Sequence, residues 1–273
     1  MGVVNVTPDS FSDGGQFDSV DEAVAEGLAH SAEGAHLVDI GGASTRPGAE
    51  PVAADEERRR VMPVIERLVE EGVAVSVDTS KPSVAESAIA AGAIVVNDVN
   101  GLRTDGMASV CADGAVGVVV AHMLGDPRTM QEDPTYGNVV AEVRQYLQQR
   151  LNKLGASGIP AERIAIDPGI GFGKTLSHNL ELLSGIGDLV TLGRPVLIGT
   201  SRKRFLGTLT GRPVDQRDVV TAASVGMAVV DGASIVRVHN VPFAADAVAF
   251  ADAMVRIRKR ADGDQGVEHQ TAP

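Results

Sequence analysis

The sequence predicts a single (β/α)8 barrel with its active site at the C-terminal ends of the strands. Three observations carry that prediction. The chain contains eight short apolar runs, each leading into a helical pattern, with no composition break between the units. The runs are continuously apolar rather than alternating, which implies a parallel sheet covered on its outer face. A chain of 273 residues, with 44% hydrophobic and 22% charged residues, has the size and balance of one α/β barrel. The barrel domain is expected over residues 1–260. Residues 261–273 are polar and aperiodic, as in a disordered tail.

Val3-Val4 forms the first strand and leads through Asn5 into the loop Thr7 to Gly15. A helix over Asp21–Glu33 precedes the strand His36–Ile40, which contains Asp39. Ala54 to Glu71 reads as a helix with an acidic start, and Pro63 predicts a kink or a break in it. Val73–Val77 ends in Asp78, and Pro82 sits at the first position of the next helix. Ile94–Val96 runs into Asn97-Asp98, and Val116–Ala121 into His122. A long polar loop, Leu124 to Tyr136, precedes a helix with Val140, Val143, Leu147, Leu151 and Leu154 on one face. Ile164–Ile166 ends in Asp167, and Pro195–Ile198 leads to Ser201 and Lys203. A helix covers about Val219 to Val230, and Ile235-Val236 ends in Arg237 and His239. A last helix repeats Phe243, Ala247, Phe250, Met254 and Ile257.

Composition narrows the function. A net charge of −12 argues against nucleic-acid binding, and it requires any anionic substrate to be held by local cations. No apolar run approaches a membrane span and no signal peptide opens the sequence. The single Cys111 excludes an internal disulfide, fits a reducing cytoplasm, and reads as a packing residue. Trp is absent, so the core is aliphatic.

In such a barrel all strand C-termini share one face, where the active site sits. Here they bring Asn5, Asp39, Asp78, Asn97, His122, Asp167, Ser201 with Lys203, and Arg237 with His239 to one rim. Carboxylates and an amide match a flat polar heterocycle, because a carboxylate pairs an amidine-like N–H edge with two parallel bonds. The cations, with a hard metal held by an amide oxygen, suit phosphates. Taken singly, each residue has a plainer reading. Asp78 could cap a helix, Lys203 could belong to a solvated basic face, and His122 could be a satisfied core histidine. Asp39 reads as support, and Arg237 could pair with Asp39 or Asp167 and do nothing else. Their convergence at one rim favours the functional reading. Gly173-Lys174-Thr175 ends like a phosphate loop, but the position of its required first glycine is Pro168, which has no N–H to offer.

The motifs then become specific. Asn5-Val6-Thr7-Pro8-Asp9-Ser10-Phe11-Ser12-Asp13-Gly14-Gly15 resembles the first signature of the bacterial dihydropteroate synthases, and Asp39 through Gly48 resembles the second. Ser76–Thr79, Asn97–Val99, Asp167–Phe172, Ser201–Gly207 and Arg237–His239 follow in the family's order, so the resemblance spans Gly2 to about Arg260. It implies condensation of 4-aminobenzoate with a 6-hydroxymethyl-7,8-dihydropterin diphosphate, with Mg2+, giving dihydropteroate and diphosphate. Asp78, Asn97, Asp167 and Lys203 would bind the pterin. Asn5 would ligate Mg2+, and Arg237 and His239 would hold the diphosphate. Thr45, Arg46 and Phe11 would close over the site from mobile loops, with Phe172 lining the aminobenzoate side. Ser201 would open a short helix that receives the aminobenzoate carboxylate. By the same resemblance, Asp78, Asp167, Lys203 and Arg237 would be catalytic, sulfonamides would inhibit, and the protein would be a homodimer.

The sequence also departs from that pattern. Ala43 stands where glutamate is common, Ala121 where a pocket methionine is usual, and Asn100 where serine is frequent. The sequence opens at the first strand, so a shortened start is expected. Three rivals remain open at this point: a silent paralogue, a methyltransferase of the related pterin-binding barrel type, and a P-loop nucleotide binder.

Overall fold

The computed structural model describes residues 1–7, 16–44, 50–126 and 129–268, without the side chains of 16–19 and 261–268. Strands β1 (Gly2–Asn5), β2 (Val38–Gly41), β3 (Val75–Asp78), β4 (Val95–Asp98), β5 (Gly117–Ala121) and β6 (Ile164–Asp167) pair in consecutive order, all parallel. β7 (Leu197–Ile198) and β8 (Ile235–Val236) pair with each other. Two single bridges close the ring: Ile166 with Val196 on one side, and Gly2 with Val238 on the other. Backbone bonds from Val3 N to Val238 O (3.0 Å) and from Ile166 N to Pro195 O (2.9 Å) secure those seams. The predicted (β/α)8 barrel is therefore present.

Ten helices surround it among the described residues: α1 (Gln16–Ala32), α2 (Ala54–Glu70), α3 (Pro82–Ala90), α4 (Met107–Asp113), α5 (Val139–Ala156), α6 (Leu176–Ser184), α7 (Ile186–Val190), α8 (Arg204–Thr210), α9 (Asp218–Val230) and α10 (Val241–Glu268). Strand alternation sorts the core into two layers. Val4, Ile40, Val75, Val77, Val96 and Val118 face the helices, and buried Val61, Ile65 and Leu68 of α2 join them. Val119, Ala165 and Leu197, with Met1, Val95 and Ile235, form a separate small cluster that fills the barrel interior. Continuous apolar strands arise because both faces are buried.

Three local features differ from the sequence expectation, and the packing of α10 settles a point that spacing left open. Pro63 does not break α2, because burial of Val61, Val64, Ile65 and Leu68 along one side holds the helix across the missing hydrogen bond. Ser201 does not open a helix: α8 starts at Arg204, since Arg202 adopts a left-handed turn (φ 56°) that interrupts the helical path. In α10 the regular Phe243, Phe250, Met254 and Ile257 stripe is exposed, while the smaller Val241, Ala244 and Ala251 face inward. Only small side chains let α10 approach α9 and the barrel closely. Finally, α10 continues past Ala261 to Glu268, so part of the expected tail is helical. An established helix propagates at little cost per residue. Residues 269–273 lie outside the described set.

Candidate active site

The rim is built from strand ends whose side chains turn inward. A Cβ on Gly2 would strike His30 of α1, so Gly2 faces the helices and its strand neighbours Val3 and Asn5 face the barrel. The same alternation turns Asp39, Ser76, Asp78, Asn97, Ala121, Asp167 and Arg237 into the interior. Ala121 is in register with Asp167.

Arg237 is the hub. Its Nε donates to Asp39 Oδ2 (2.6 Å) and its Nη2 to Asp78 Oδ2 (2.7 Å). The plainer reading of Arg237 is thus partly correct, with Asp78 in the place of Asp167. Asp39, fully buried, also accepts from Asn97 Nδ2 (2.9 Å). That bond fixes the amide of Asn97 and leaves its oxygen as an acceptor for a ligand N–H. Asp39 thereby orients two side chains of the rim at once. Its sequence signal was a lone carboxylate inside an apolar strand.

Burial pushes the Asp78 carboxyl up to about 7, although Arg237 pulls it down. Asp167 is likewise raised by burial, opposed by Lys203, the Gly169 amide, Lys174 and Arg237. Burial lowers Lys203 to about 8 against the pull of Asp167 and Asp78. The Lys203 ammonium lies over the Phe172 ring, 4.5 Å from its centroid, and donates to Ile170 O. The sequence turn that aims Lys203 is locked from behind: Arg202 holds Asp218 through Nε (2.7 Å) and Nη2 (2.8 Å). Ser201 Oγ accepts from His239 N (3.1 Å) and bonds His239 Nδ1 (2.9 Å), which ties the ends of β7 and β8 together.

The turn after β6 depends on its glycines. Gly169 has φ 68°, and a Cβ there would lie 1.8 Å from His122 O, a backbone atom that cannot yield. Gly169→Ala is expected to destabilise the fold by roughly 2–4 kcal/mol, the sum of left-handed strain and a backbone clash. Denaturant unfolding of the variant beside the wild type checks it.

On the rim, Asn5, Asp78, Asn97, Asp167, Phe172, Ser201, Lys203, Arg237 and His239 all belong to described strand ends or the turns that follow them. Phe11, Thr45 and Arg46 lie outside the described residues. Asn5 Oδ1 and Asp78 Oδ2 flank Gly41, whose missing side chain keeps the space between them open: a Cβ there would be 3.8 and 3.7 Å from those atoms. Among the described residues no group of three or more His, Cys, Asp or Glu could hold a metal unaided. A hard cation would therefore share an amide oxygen with oxygens of the substrate, a donor set that suits Mg2+. Of the departures, Ala121 is a small buried wall beside Asp167. Asn100 is a loop brace that donates to Asp98 through its backbone and to Thr104 through its side chain. Nothing in the structure explains Ala43.

A parallel barrel whose rim carries carboxylates, an amide and cations toward a polar ring defines the class, and comparison with known proteins agrees. The model of the pterin binding enzyme family matches residues 1–239. The chain is 43% identical to the mitochondrial folate synthesis bifunctional protein of Arabidopsis thaliana, covering 96% of this chain but 50% of that protein. It thus spans about half the length of that bifunctional relative. The dihydropteroate synthase of Bacillus subtilis is 43% identical, with 93% of this chain and 88% of the relative covered. Among solved structures, Xanthomonas albilineans dihydropteroate synthase with 4-aminobenzoic acid superposes with a TM-score of 0.88 at 49% identity, covering 93% and 92% of the two chains. The same enzyme in complex with 7,8-dihydropteroate gives 0.85 at 46% identity, with 93% and 92% covered. The Yersinia pestis enzyme with a sulfonamide drug gives 0.89 at 40% identity, with 93% of each chain covered. The chain belongs to the dihydropteroate synthase family of pterin-binding enzymes.

Proposed function

We propose that the protein is a transferase of folate biosynthesis, joining 6-hydroxymethyl-7,8-dihydropterin diphosphate to 4-aminobenzoate to give 7,8-dihydropteroate and diphosphate. The observation that carries this is the rim of buried polar groups: Asp39 holds Asn97 and Arg237 together, Arg237 also holds Asp78, and Asp167 is buried at the end of β6. Asp167 receives the N–H pair of the pterin ring, and the oxygen of Asn97, held by Asp39, accepts from its amino group. Lys203 leaves Ile170 O for the ring carbonyl and N5. Arg237 keeps its Nη1 edge for the diphosphate beside His239. Ser201 and Phe172 meet the aminobenzoate, with Phe11, Thr45 and Arg46 supplied by the loops.

The bond from the exocyclic carbon to the diphosphate oxygen breaks first, and its electron pair leaves with the diphosphate. The electron-rich ring carries the resulting cation, which Asp78 and Asp167 stabilise. The aminobenzoate nitrogen then bonds to that carbon and loses a proton. Catalysis is mainly electrostatic and needs no covalent nucleophile. When bound, Mg2+ would sit with Asn5 and neutralise charge on the leaving group. A sulfonamide, which carries an arylamine, competes for the aminobenzoate site.

The assay is formation of 7,8-dihydropteroate from the two substrates, read by mass spectrometry; intact substrates after prolonged incubation would reject the reaction. Raised Asp78 and lowered Lys203 also set its pH dependence. The kcat/KM for the pterin diphosphate is expected to rise as Asp78 ionises near pH 7 and to fall as Lys203 deprotonates near pH 8. In Asp78→Asn the acid limb should vanish from the profile; an unaltered limb would assign it elsewhere.

The protein is further proposed to act in the cytoplasm as a homodimer. Cys111 is a buried free thiol, as a reducing compartment permits. No helix among the described residues is long and apolar enough to cross a membrane. Exposed Phe243, Phe250, Met254 and Ile257 on α10, with Met227 and Val219 on α9, form an apolar face suited to a second copy. Phe250→Asp is expected to shift the mass in analytical ultracentrifugation from dimer to monomer, and a monomeric wild type would dismiss the interface.

A further inference from the structure

The lysine that made the phosphate-loop near-miss has a different place in the fold. Lys174 is 3% exposed and lies beneath the turn that follows Asp167. Its Nζ donates to Phe172 O (2.9 Å) and is 3.0 Å from His122 Nδ1. Gly169 folds directly over it: a Cβ on that glycine would lie 3.5 Å from Nζ. No phosphate could reach an ammonium enclosed in this way.

The turn it supports is held carbonyl by carbonyl. Ile170 O accepts from Lys203, Gly171 O from Gln131, Phe172 O from Lys174, and Gly173 O from Tyr136. Four donors from different parts of the chain thus fix the backbone between Asp167 and α6. Gln131 and Tyr136 explain the long polar loop before α5, which otherwise has no place in the chemistry. Lys203 is the donor that a ligand would draw away. Lys174 has no route to the ligand and stays.

An enclosed ammonium with no carboxylate bonded to it is costly, and methionine would fill the space more cheaply. Burial accordingly drives Lys174 down to about 7, against the pull of Asp167. His122, lowered to about 3 by burial and Lys174, stays neutral and accepts at Nδ1. The cost is explained if the amine serves the turn that carries Asp167.

We propose that Lys174 is a positioning residue for pterin recognition: through Phe172 O and His122 it fixes, from the side away from the ligand, the turn that carries Asp167 and Phe172. This rests on the pterin-binding reading above. The test is calorimetric titration of full-length wild type, Lys174→Met, Lys174→Gln and Tyr136→Phe with 6-hydroxymethyl-7,8-dihydropterin diphosphate, together with KM for 4-aminobenzoate and thermal midpoints. Lys174→Met is expected to weaken pterin binding about 10-fold or more, and to raise the aminobenzoate KM by a clearly smaller factor through the shift of Phe172. Lys174→Gln, which keeps a donor for Phe172 O without the charge, should fall between and serves if the methionine variant does not fold. Tyr136→Phe, which removes a neutral anchor, should lose less. Unchanged pterin affinity in both Lys174 variants, or parallel loss of both substrates with the thermal midpoint, would overturn the proposal. A wild type that does not bind the pterin diphosphate would overturn the functional reading itself.

Discussion

Asp167→Asn is expected to lower kcat/KM for the pterin diphosphate by about 10³-fold while leaving the fold intact. The substitution is nearly isosteric. The carboxylate accepts from Gly169 N at 2.7 Å through Oδ1, and an amide oxygen can accept that same bond. The turn should therefore keep its shape. What is lost is the ability to accept two N–H donors at once and the negative charge facing the cationic ring. Charge-assisted paired bonds in a dry site are worth several kcal/mol, and about 4 kcal/mol corresponds to the stated factor. Removing a buried carboxylate raised by burial also relieves the native state. A folded pKa above the unfolded value means that the native state binds more protons, so stability falls as pH rises through that interval. The variant should then match or exceed the wild type in stability at pH 8, and a variant markedly less stable would show Asp167 to be structural. Steady-state kinetics with thermal melts decides.

Arg237→Met should fail in both respects. Its guanidinium is the bonded cation for Asp39, which is fully buried, and for Asp78. Breaking a buried ion pair by removing one member costs about 3–5 kcal/mol, because the other charge stays behind. At roughly 2–4 °C per kcal/mol for a chain of about this size, the midpoint should fall by about 10 °C. Without Arg237 the Asp78 carboxyl would protonate more readily, so the loss should be smaller at pH 5 than at pH 8. Arg237→Met combined with Asp39→Asn should recover part of the stability and none of the activity. Recovery of turnover in that double variant would exclude Arg237 from the reaction.

These two residues also show what the sequence could and could not disclose. Asp167 stood out as a candidate because a carboxylate at the end of an apolar strand is followed by closely spaced glycines. The parallel barrel followed from periodicity and length. Pairings across the barrel did not. Arg237 and Asp78 are separated by 159 positions, and nothing local marks one as the neighbour of the other. Asp39 reads as support and is support, but that it anchors both Arg237 and Asn97 was not legible. Lys174 looked like a failed motif because its burial depends on how Gly169 folds back over it. The helical spacing of the α10 stripe records that one side is distinct without recording which side meets the barrel. The left-handed turn at Arg202 displaced the helix expected at Ser201, and its bidentate hold on Asp218, with Thr221 accepting from its N–H and Arg217 donating to its carbonyl, explains how that conformation persists.

The most direct test of the account is diphosphate release from 6-hydroxymethyl-7,8-dihydropterin diphosphate and Mg2+, with and without 4-aminobenzoate, in wild type and Asp167→Asn. The account predicts release that requires the amine, is matched mole for mole by dihydropteroate, and falls about 10³-fold in the variant. Wild-type protein that binds the pterin diphosphate yet releases nothing with the amine present would contradict it, and would mark the chain as a binding protein on a synthase fold.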